Sequence, residues 1–264
     1  MVGRRQAAIA ILVIGACSWL AAAAKVARLE SIERNIFAAV TREREQRGLN
    51  PLKLNTKLGE SAAGHLGWMM SKRMLSHHFE GEQDLTTRVA ATGLRFNSAA
   101  ENVAFATDWE DIHSGLMRSP GHRANILSPK YDEVGIAVAL GQDGYYAVQN
   151  FAHTTSEDSA GDAEARLAKA IRTELKSDVA IVFDPKARQA VCEMANQDKL
   201  EARRLPAEPP LKRMFAYTAS EPEEIPEPLT TAAKRAGTRQ MVVGVCYKAT
   251  EKYPGGTYWV GVLY

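Results

Sequence analysis

Apolar residues recur at three- and four-residue steps through four stretches in the first half of the chain. This spacing places them on one side of a helix. The first pattern ends at Gly48 and the Asn50-Pro51 turn, and the last ends at Ser119-Pro120-Gly121, which are helix-breaking residues. The pattern predicts helices at about residues 28–47, 55–72, 85–92 and 109–118.

The hydrophobic period then changes to two. Residues 134–138 and 145–148 read as two strands, joined by a turn at Gly141-Gln142-Asp143-Gly144. Several helices followed by an antiparallel hairpin favour a layered α/β domain.

The N-terminus predicts export. Arg4 and Arg5 precede an uncharged apolar stretch over residues 7–24, as in a secretory signal. An uncleaved membrane anchor is the alternative. Residues 21–24 offer a signal-peptidase site, whereas residues 14–17 resemble a bacterial lipobox that would attach lipid to Cys17. We therefore assign residues 1–24 as a signal peptide or lipoprotein signal, and expect an extracytoplasmic protein that is secreted, periplasmic or membrane-tethered.

The second half of the chain is organised differently. Residues 155–163 are small and polar, which predicts a linker. Residues 206–228 contain six of the eleven prolines, which predicts a loop. Short segments there echo earlier ones in the same order: 170–174 echoes 39–43, 183–186 echoes 54–57, 243–245 echoes 134–136, and 256–260 echoes 144–148.

These echoes predict a degenerate repeat. Their offset falls from about 130 to about 110 residues, so the second copy would lack roughly 20 residues from the middle of the first. Two unrelated helix-then-hairpin patterns are the alternative.

Composition and charge limit the classes of partner and of chemistry that we expect. The net charge is +2 and there is no basic stripe, so nucleic acid is not an expected partner. All six histidines fall in one central window from His65 to His153, which we call the histidine window, and imidazole chemistry is confined to it. Three cysteines are too few for a disulfide scaffold.

Three motifs lie inside the histidine window: Met74-Leu75-Ser76-His77-His78, Ala100-Glu101-Asn102-Val103-Ala104, and residues 119–127, which read Ser-Pro-Gly-His-Arg-Ala-Asn-Ile-Leu. Their order and spacing resemble the CAP superfamily (cysteine-rich secretory, antigen 5 and pathogenesis-related proteins), in its bacterial, cysteine-poor branch. The resemblance covers about residues 30–153. It implies an α-β-α sandwich over residues 28–154. Taken with the internal echoes, it would make residues 163–264 a smaller, degenerate CAP-like α+β unit.

The resemblance also implies a cleft lined by His77, Glu101 and His122. Imidazole and carboxylate groups suit a divalent metal, Zn²⁺ or Ca²⁺, and could equally exchange protons. Ser76 and Asn102 would orient these side chains. Additional candidates are His78, which could replace His77, and Glu110 or Asp111, for a second glutamate that many relatives carry on the fourth helix.

Several side chains have plain structural interpretations. His77 and His122 could be hydrogen-bonded structural histidines, and His65, His113 and His153 are read that way. Cys192 and Cys246 fall in the helix and strand of the repeat that pack together in this fold. A disulfide between them, or two free thiols, both remain open.

The resulting hypothesis is an exported CAP-domain protein whose cleft binds a divalent cation, or an extracellular small molecule, lipid or peptide. Membrane contact is expected only through a signal anchor or a lipid on Cys17. One alternative is a metal-dependent hydrolase or peptidase of the cell envelope, with Glu101 activating a metal-bound water. Another is a structural module with a vestigial cleft.

Overall fold

A computed structural model describes residues 28–155, 158–206, 211 and 213–264. The N-terminal segment with Cys17 and the predicted signal lies outside these residues. We call residues 28–155 the first unit, and the described residues from 158 onward the second unit. Each unit contains one four-stranded sheet.

The first unit contains five helices and four strands among its described residues. The four predicted helices are confirmed to within two residues at every end, and the predicted hairpin is confirmed, whereas the helix at Pro120–Ile126 was not predicted. The elements are α1 (Glu30–Glu45), β1 (Lys53–Leu54), α2 (Thr56–Lys72), α3 (Leu85–Ala91), β2 (Phe96–Ala106), α4 (Glu110–Arg118), α5 (Pro120–Ile126), β3 (Glu133–Leu140) and β4 (Tyr145–Thr154).

The sheet of the first unit has the order β1-β3-β4-β2, with β1 parallel to β3 and the other neighbours antiparallel. Alternate residues of each strand point to opposite faces. Ile136 and Phe151 pack with α1, α4 and α5 on one face, whereas Ala137 and Val148 pack with α2 on the other. The fold is therefore an α-β-α sandwich, as expected.

The second unit repeats this arrangement with fewer elements. Its sheet has the order β5-β7-β8-β6, with the same parallel and antiparallel neighbours. It is a smaller α+β unit. Among its described residues a short 3₁₀ helix has the chain position of α3, and there is no counterpart of α5. The elements are α6 (Ala160–Leu175), β5 (Ala180–Phe183), α7 (Pro185–Asn196), a 3₁₀ helix (Ala202–Arg204), β6 (Met214–Ala219), α8 (Glu227–Arg235), β7 (Gln240–Lys248) and β8 (Thr257–Leu263).

Two sequence expectations for the second half were wrong in part. The proline-rich stretch is not all loop, because β6 lies between its prolines and α8 begins within it, with Pro228 in the first helical turn. Proline is tolerated there because the first helical N–H groups have no partner within the helix. The predicted linker is shorter than 155–163, because Ser159 caps α6 by accepting a hydrogen bond from Asp162 N.

Strand pairing also corrects the proposed alignment of the repeat by one residue. Gly135 pairs with Asn150, and Gly244 pairs with Gly261. If Gly135 is matched with Gly244, then Asn150 corresponds to Gly261, and Val148 corresponds to Trp259 rather than to Val260. The sequence could not show this, because a one-residue change of register is invisible until the strands are paired.

The two units meet at the start of β2. Phe96 N donates a hydrogen bond to Gly255 O at 3.1 Å, and the guanidinium of Arg95 lies 4.3 Å from the ring centre of Tyr247. Across the described residues, no helix has the length and apolar composition that a membrane span requires.

Candidate functional site

His77 and Glu101 are in direct contact. Nδ1 of His77 lies 3.1 Å from Oε1 of Glu101. His77 is in the loop between α2 and α3 and its side chain is 58% exposed, whereas the side chain of Glu101, on β2, is 4% exposed. The carboxylate therefore supports the imidazole from the interior, and the ring faces solvent.

Glu101 belongs to a cluster of buried charges. Its other oxygen, Oε2, accepts a hydrogen bond from Nη2 of Arg88 on α3 at 2.9 Å. Nη1 of Arg88 lies 3.3 Å from Oε1 of Glu82. Oε1 of Glu82 is also 2.7 Å from Nδ1 of His65, a fully buried residue of α2. Both oxygens of Glu101 are thus already engaged by protein groups.

A buried amide contributes to the same cluster. In the orientation that satisfies both ends of its amide, Asn150 donates to Oε2 of Glu101 at 3.2 Å and accepts from Ala62 N at 3.1 Å. Asn150 is opposite Glu101 in the β2–β4 ladder, so the two side chains lie on the same face of the sheet.

The second cleft histidine is held from the opposite face. His122 is on α5, and its carbonyl accepts a hydrogen bond from Nδ2 of Asn102 at 3.1 Å. Oδ1 of Asn102 accepts from Nδ2 of Asn125, also on α5, at 2.9 Å. Asn102 is fully buried, and its Nδ2 also donates to Gln149. Asn102 therefore fastens the helix that carries His122 to the sheet.

The adjacent residues Glu101 and Asn102 together build the cleft. Successive strand residues point to opposite faces, so Glu101 contacts the α2–α3 layer and Asn102 contacts α5. Because β2 is an edge strand, the two layers meet along it, and the rings of His77 and His122 have centroids 6.3 Å apart. The sequence motif Glu-Asn thus brings together one histidine from each layer.

Burial lowers the pKa of His122, and the nearby His77 lowers it further. Both effects disfavour the imidazolium form. A neutral imidazole keeps a lone pair that can accept a proton or bind a cation.

The remaining predicted residues have different places. Oγ of Ser76 donates to His78 O at 2.7 Å and shapes the loop that carries His77. His78 is exposed. Glu110 and Asp111 are exposed in the first turn of α4, and no hydrogen bond or ion pair among the described residues links them to the cleft.

Sequence reasoning missed Glu82, Arg88 and the role of His65. Glu82 lies in the loop directly after the His77 motif and is buried, whereas its neighbour Glu80 is exposed. A buried glutamate near the cleft thus lies in the loop between α2 and α3, and a role for Glu110 or Asp111 on α4 stays a prediction. Two acidic residues close behind His77 were the available signal, but nothing in the sequence separates Glu82 from Glu80.

Two further observations concern metals and cysteines. Within the described ranges, no three residues of the types His, Cys, Asp and Glu are arranged to hold a metal ion.

A disulfide joins Cys192 on α7 to Cys246 on β7, so it fastens a helix to the sheet of the second unit.

Comparison with known proteins agrees with this architecture. Residues 37–151 match the family model of the cysteine-rich secretory protein family, CAP. Residues 37–151, within the first unit, therefore form a CAP domain, as the sequence motifs predicted.

Three similar proteins are from Bacillus species. YkwD of Bacillus subtilis is 27% identical over 109 residues, which is 41% of this chain and 42% of YkwD. The Bacillus subtilis membrane protein YlbC is 29% identical over 120 residues, which is 45% of this chain and 34% of YlbC. An extracellular protein with an SCP domain from Bacillus anthracis is 25% identical, with a TM-score of 0.41, over 47% of this chain and 41% of that protein. This chain thus spans less than half the length of each of these relatives.

Proposed function

We propose that the cleft of the first unit binds a ligand outside the cytoplasm, and that His77 and His122 hold a divalent cation there. The contact between Nδ1 of His77 and Oε1 of Glu101 carries this proposal. Metal-binding histidines commonly donate one ring N–H to a carboxylate, which fixes the ring and leaves the other nitrogen for the metal. Nε2 of His77 has no hydrogen-bond partner in the described part of the chain.

The donor set favours zinc over calcium. Imidazole nitrogens suit Zn²⁺, whereas Ca²⁺ takes six to eight oxygen ligands. Zn–N bonds are about 2.0–2.1 Å long, so two rings whose centroids are 6.3 Å apart can both face one ion. Glu101 lies behind His77 in this proposal and is not itself a ligand. Two protein ligands leave positions for a small molecule, a peptide or a lipid headgroup.

The binding function is favoured over the hydrolase alternative. A hydrolase of the expected kind would use Glu101 as the base that takes a proton from water. Oε1 of Glu101 is engaged by His77 and Oε2 by Arg88, and the carboxylate is buried. Binding is therefore the proposal, and the hydrolase mechanism lacks a free base at this position.

Export and domain division belong to the same proposal. The basic and apolar N-terminal segment supports transfer out of the cytoplasm, with or without a lipid on Cys17. The equal strand orders of the two sheets support a CAP domain at residues 28–154, followed by a degenerate copy at residues 163–264.

The direct test is an NMR titration of the purified chain, with the ring carbons of histidine labelled. Addition of Zn²⁺ should move the signals of His77 and His122 together and leave that of His153, outside the cleft, unchanged. Equal shifts of all histidines, or no shift of His77 and His122, would reject the cation proposal. Apolar and peptide probes would then be added to the metal-free chain.

A further inference from the structure

The common topology of the two units allows their interiors to be compared position by position. Asn55 and Asp184 cap α2 and α7 in the same way, because each accepts a hydrogen bond from the backbone N–H three residues later. Gly135 and Gly244 occupy the same place on β3 and β7, each against the first turn of that helix. Counting from the caps along the helices, and from the glycines across the paired strands, gives the matching positions.

The buried polar groups beneath the cleft match small or apolar residues in the second unit. Met194, which matches His65, is fully buried in a hydrophobic cluster. Where Asn150 stands in the first unit, Gly261 is covered by Leu205 and Val191. The matching pairs are His65 and Met194, Glu101 and Ala216, Ser61 and Ala190, and Asn150 and Gly261. The scaffold therefore folds without charges at this place.

The buried charge cluster of the first unit (His65, Glu82, Arg88 and Glu101) is not expected to stabilise the core more than apolar side chains would. Burying charges removes them from water, and apolar replacements of similar volume are often neutral or stabilising. Within the described residues, Oε2 of Glu82 and Nε of Arg88 are buried with no hydrogen-bond partner. A cluster that the scaffold does not require, and that is incompletely satisfied, calls for another explanation.

His65 connects this cluster to the loop that carries His77. Its Nε2 lies 2.8 Å from the carbonyl oxygen of Ser76, the residue before His77. A carbonyl can only accept, so Nε2 carries a hydrogen and donates it. Its Nδ1 faces Glu82 at 2.7 Å, and Nε2 is also 3.7 Å from Oε1 of Glu101. One buried ring thus contacts the loop and both carboxylates.

We propose that His65 is a positioning residue for the cleft. Through Ser76 O it fixes the backbone that presents His77, and through Glu82 and Arg88 it fixes the carboxylate of Glu101 against the His77 ring. The proposal rests on the cleft function proposed above, because it explains why a charged core is kept in one unit and an apolar core in the other.

The test uses His65→Met, which installs the side chain of the second unit, and His65→Gln, which keeps an amide donor for Ser76 O. His113→Met is the matched control, because His113 is a half-buried histidine on α4, outside this cluster. NMR of the ring-labelled, metal-free chain reports the positions of His77 and His122, and near-ultraviolet circular dichroism with thermal melting reports folding. Zn²⁺ titration follows on the same samples.

We expect His65→Met to fold, to shift or split the His77 signal, and to raise the mobility of residues 74–82, with partial recovery in His65→Gln. Zn²⁺ affinity should fall about 10–100-fold, the usual effect of removing an outer partner of a metal site. His113→Met should change none of these.

Folded His65→Met with an unchanged His77 signal overturns the proposal. Failure of both His65 variants to fold also overturns it, since the scaffold would then need the His65 ring for folding. If the His77 signal moves but wild type binds no Zn²⁺, the positioning role stands and the cation proposal falls.

Discussion

Nδ1 of His77 lies 3.1 Å from Oε1 of Glu101, and the opposite oxygen of that carboxylate is held by Arg88 at 2.9 Å. An exposed imidazole is thus linked through one buried carboxylate to a buried guanidinium. The buried charges of Glu101 and Arg88 thus support the exposed ring of His77 from the interior of the first unit.

Glu101→Gln should destabilise the chain and loosen His77. The change keeps the shape of the side chain but leaves Arg88 with one charged partner fewer, and removal of one member of a buried ion pair costs about 3–5 kcal/mol. Urea unfolding measures the loss. The matched control is Glu110→Gln on the surface of α4, which should stay within about 0.5 kcal/mol of wild type. Equal effects of the two changes would contradict the buried network.

Gly135→Ala and Gly244→Ala should damage the two units alike. An added Cβ would lie 2.1 Å from the backbone of Leu58 in the first case and 2.3 Å from that of Ala187 in the second. Overpacking of this kind costs about 1–3 kcal/mol or more. Gly64→Ala, in an open position on α2, should instead be neutral or stabilising by up to about 1 kcal/mol. A tolerated change at only one of the two buried glycines would argue against the matched positions.

Removal of the disulfide should weaken the second unit. The bond closes a sequence separation of 54 residues, for which the loop-entropy relation gives about 4 kcal/mol. Thermal unfolding of Cys192→Ala/Cys246→Ala, beside wild type with and without reductant, measures this loss. The signals of His77 and His122 should stay unchanged, because the bond lies within the second unit. A shift of those signals would show that the cleft depends on the second unit.

Protonation of His113 should contribute to the pH dependence of the free energy of unfolding. Burial lowers the pKa of His113, nearby Glu43 acts in the opposite direction, and Arg42 lowers the pKa further. The unfolded chain therefore takes up this proton near the ordinary value of 6.5, before the folded chain does. In that range the unfolded state binds more protons than the folded state. The stability that depends on a neutral His113 is therefore fully present above about pH 6.5 and is lost as the pH falls. Urea midpoints from pH 7.5 to 5.0 should fall less steeply for His113→Gln than for wild type. Parallel curves would contradict this assignment.

Four of the five helices, the hairpin and the family of the first unit could be predicted from sequence, because periodic apolar residues and three ordered motifs carry that information. The short helix α5 was not predicted, because Ser119-Pro120-Gly121 was interpreted as the end of a helix, whereas Pro120 begins the next one. The strand β2 was not predicted, although it carries Glu101 and Asn102. Its sequence, Phe-Asn-Ser-Ala-Ala-Glu-Asn-Val-Ala-Phe-Ala, has small and polar residues on both faces and does not alternate. Pairing with β4 along residues 96–106, together with contacts to helices on both faces, stabilises this strand without a hydrophobic period of two.

The candidate cleft could be predicted only in part. His77, Glu101 and His122 are in named motifs, and the structure brings them together. Glu82, in the loop before α3, and Arg88, on α3, lie in segments without a motif, and only tertiary packing brings them to the cleft. A buried charged side chain cannot be distinguished from an exposed one until its partners are placed.

Isothermal titration of the purified chain with Zn²⁺ shows whether His77 and His122 together hold a divalent cation. Ca²⁺ and Mg²⁺ serve as comparison ions, and His78→Ala is the matched control. Wild type and His78→Ala should each show one saturable Zn²⁺ site, and His77→Ala/His122→Ala should show none. The same titration curve for wild type and the double variant, whether heat is released or not, would contradict the cation proposal.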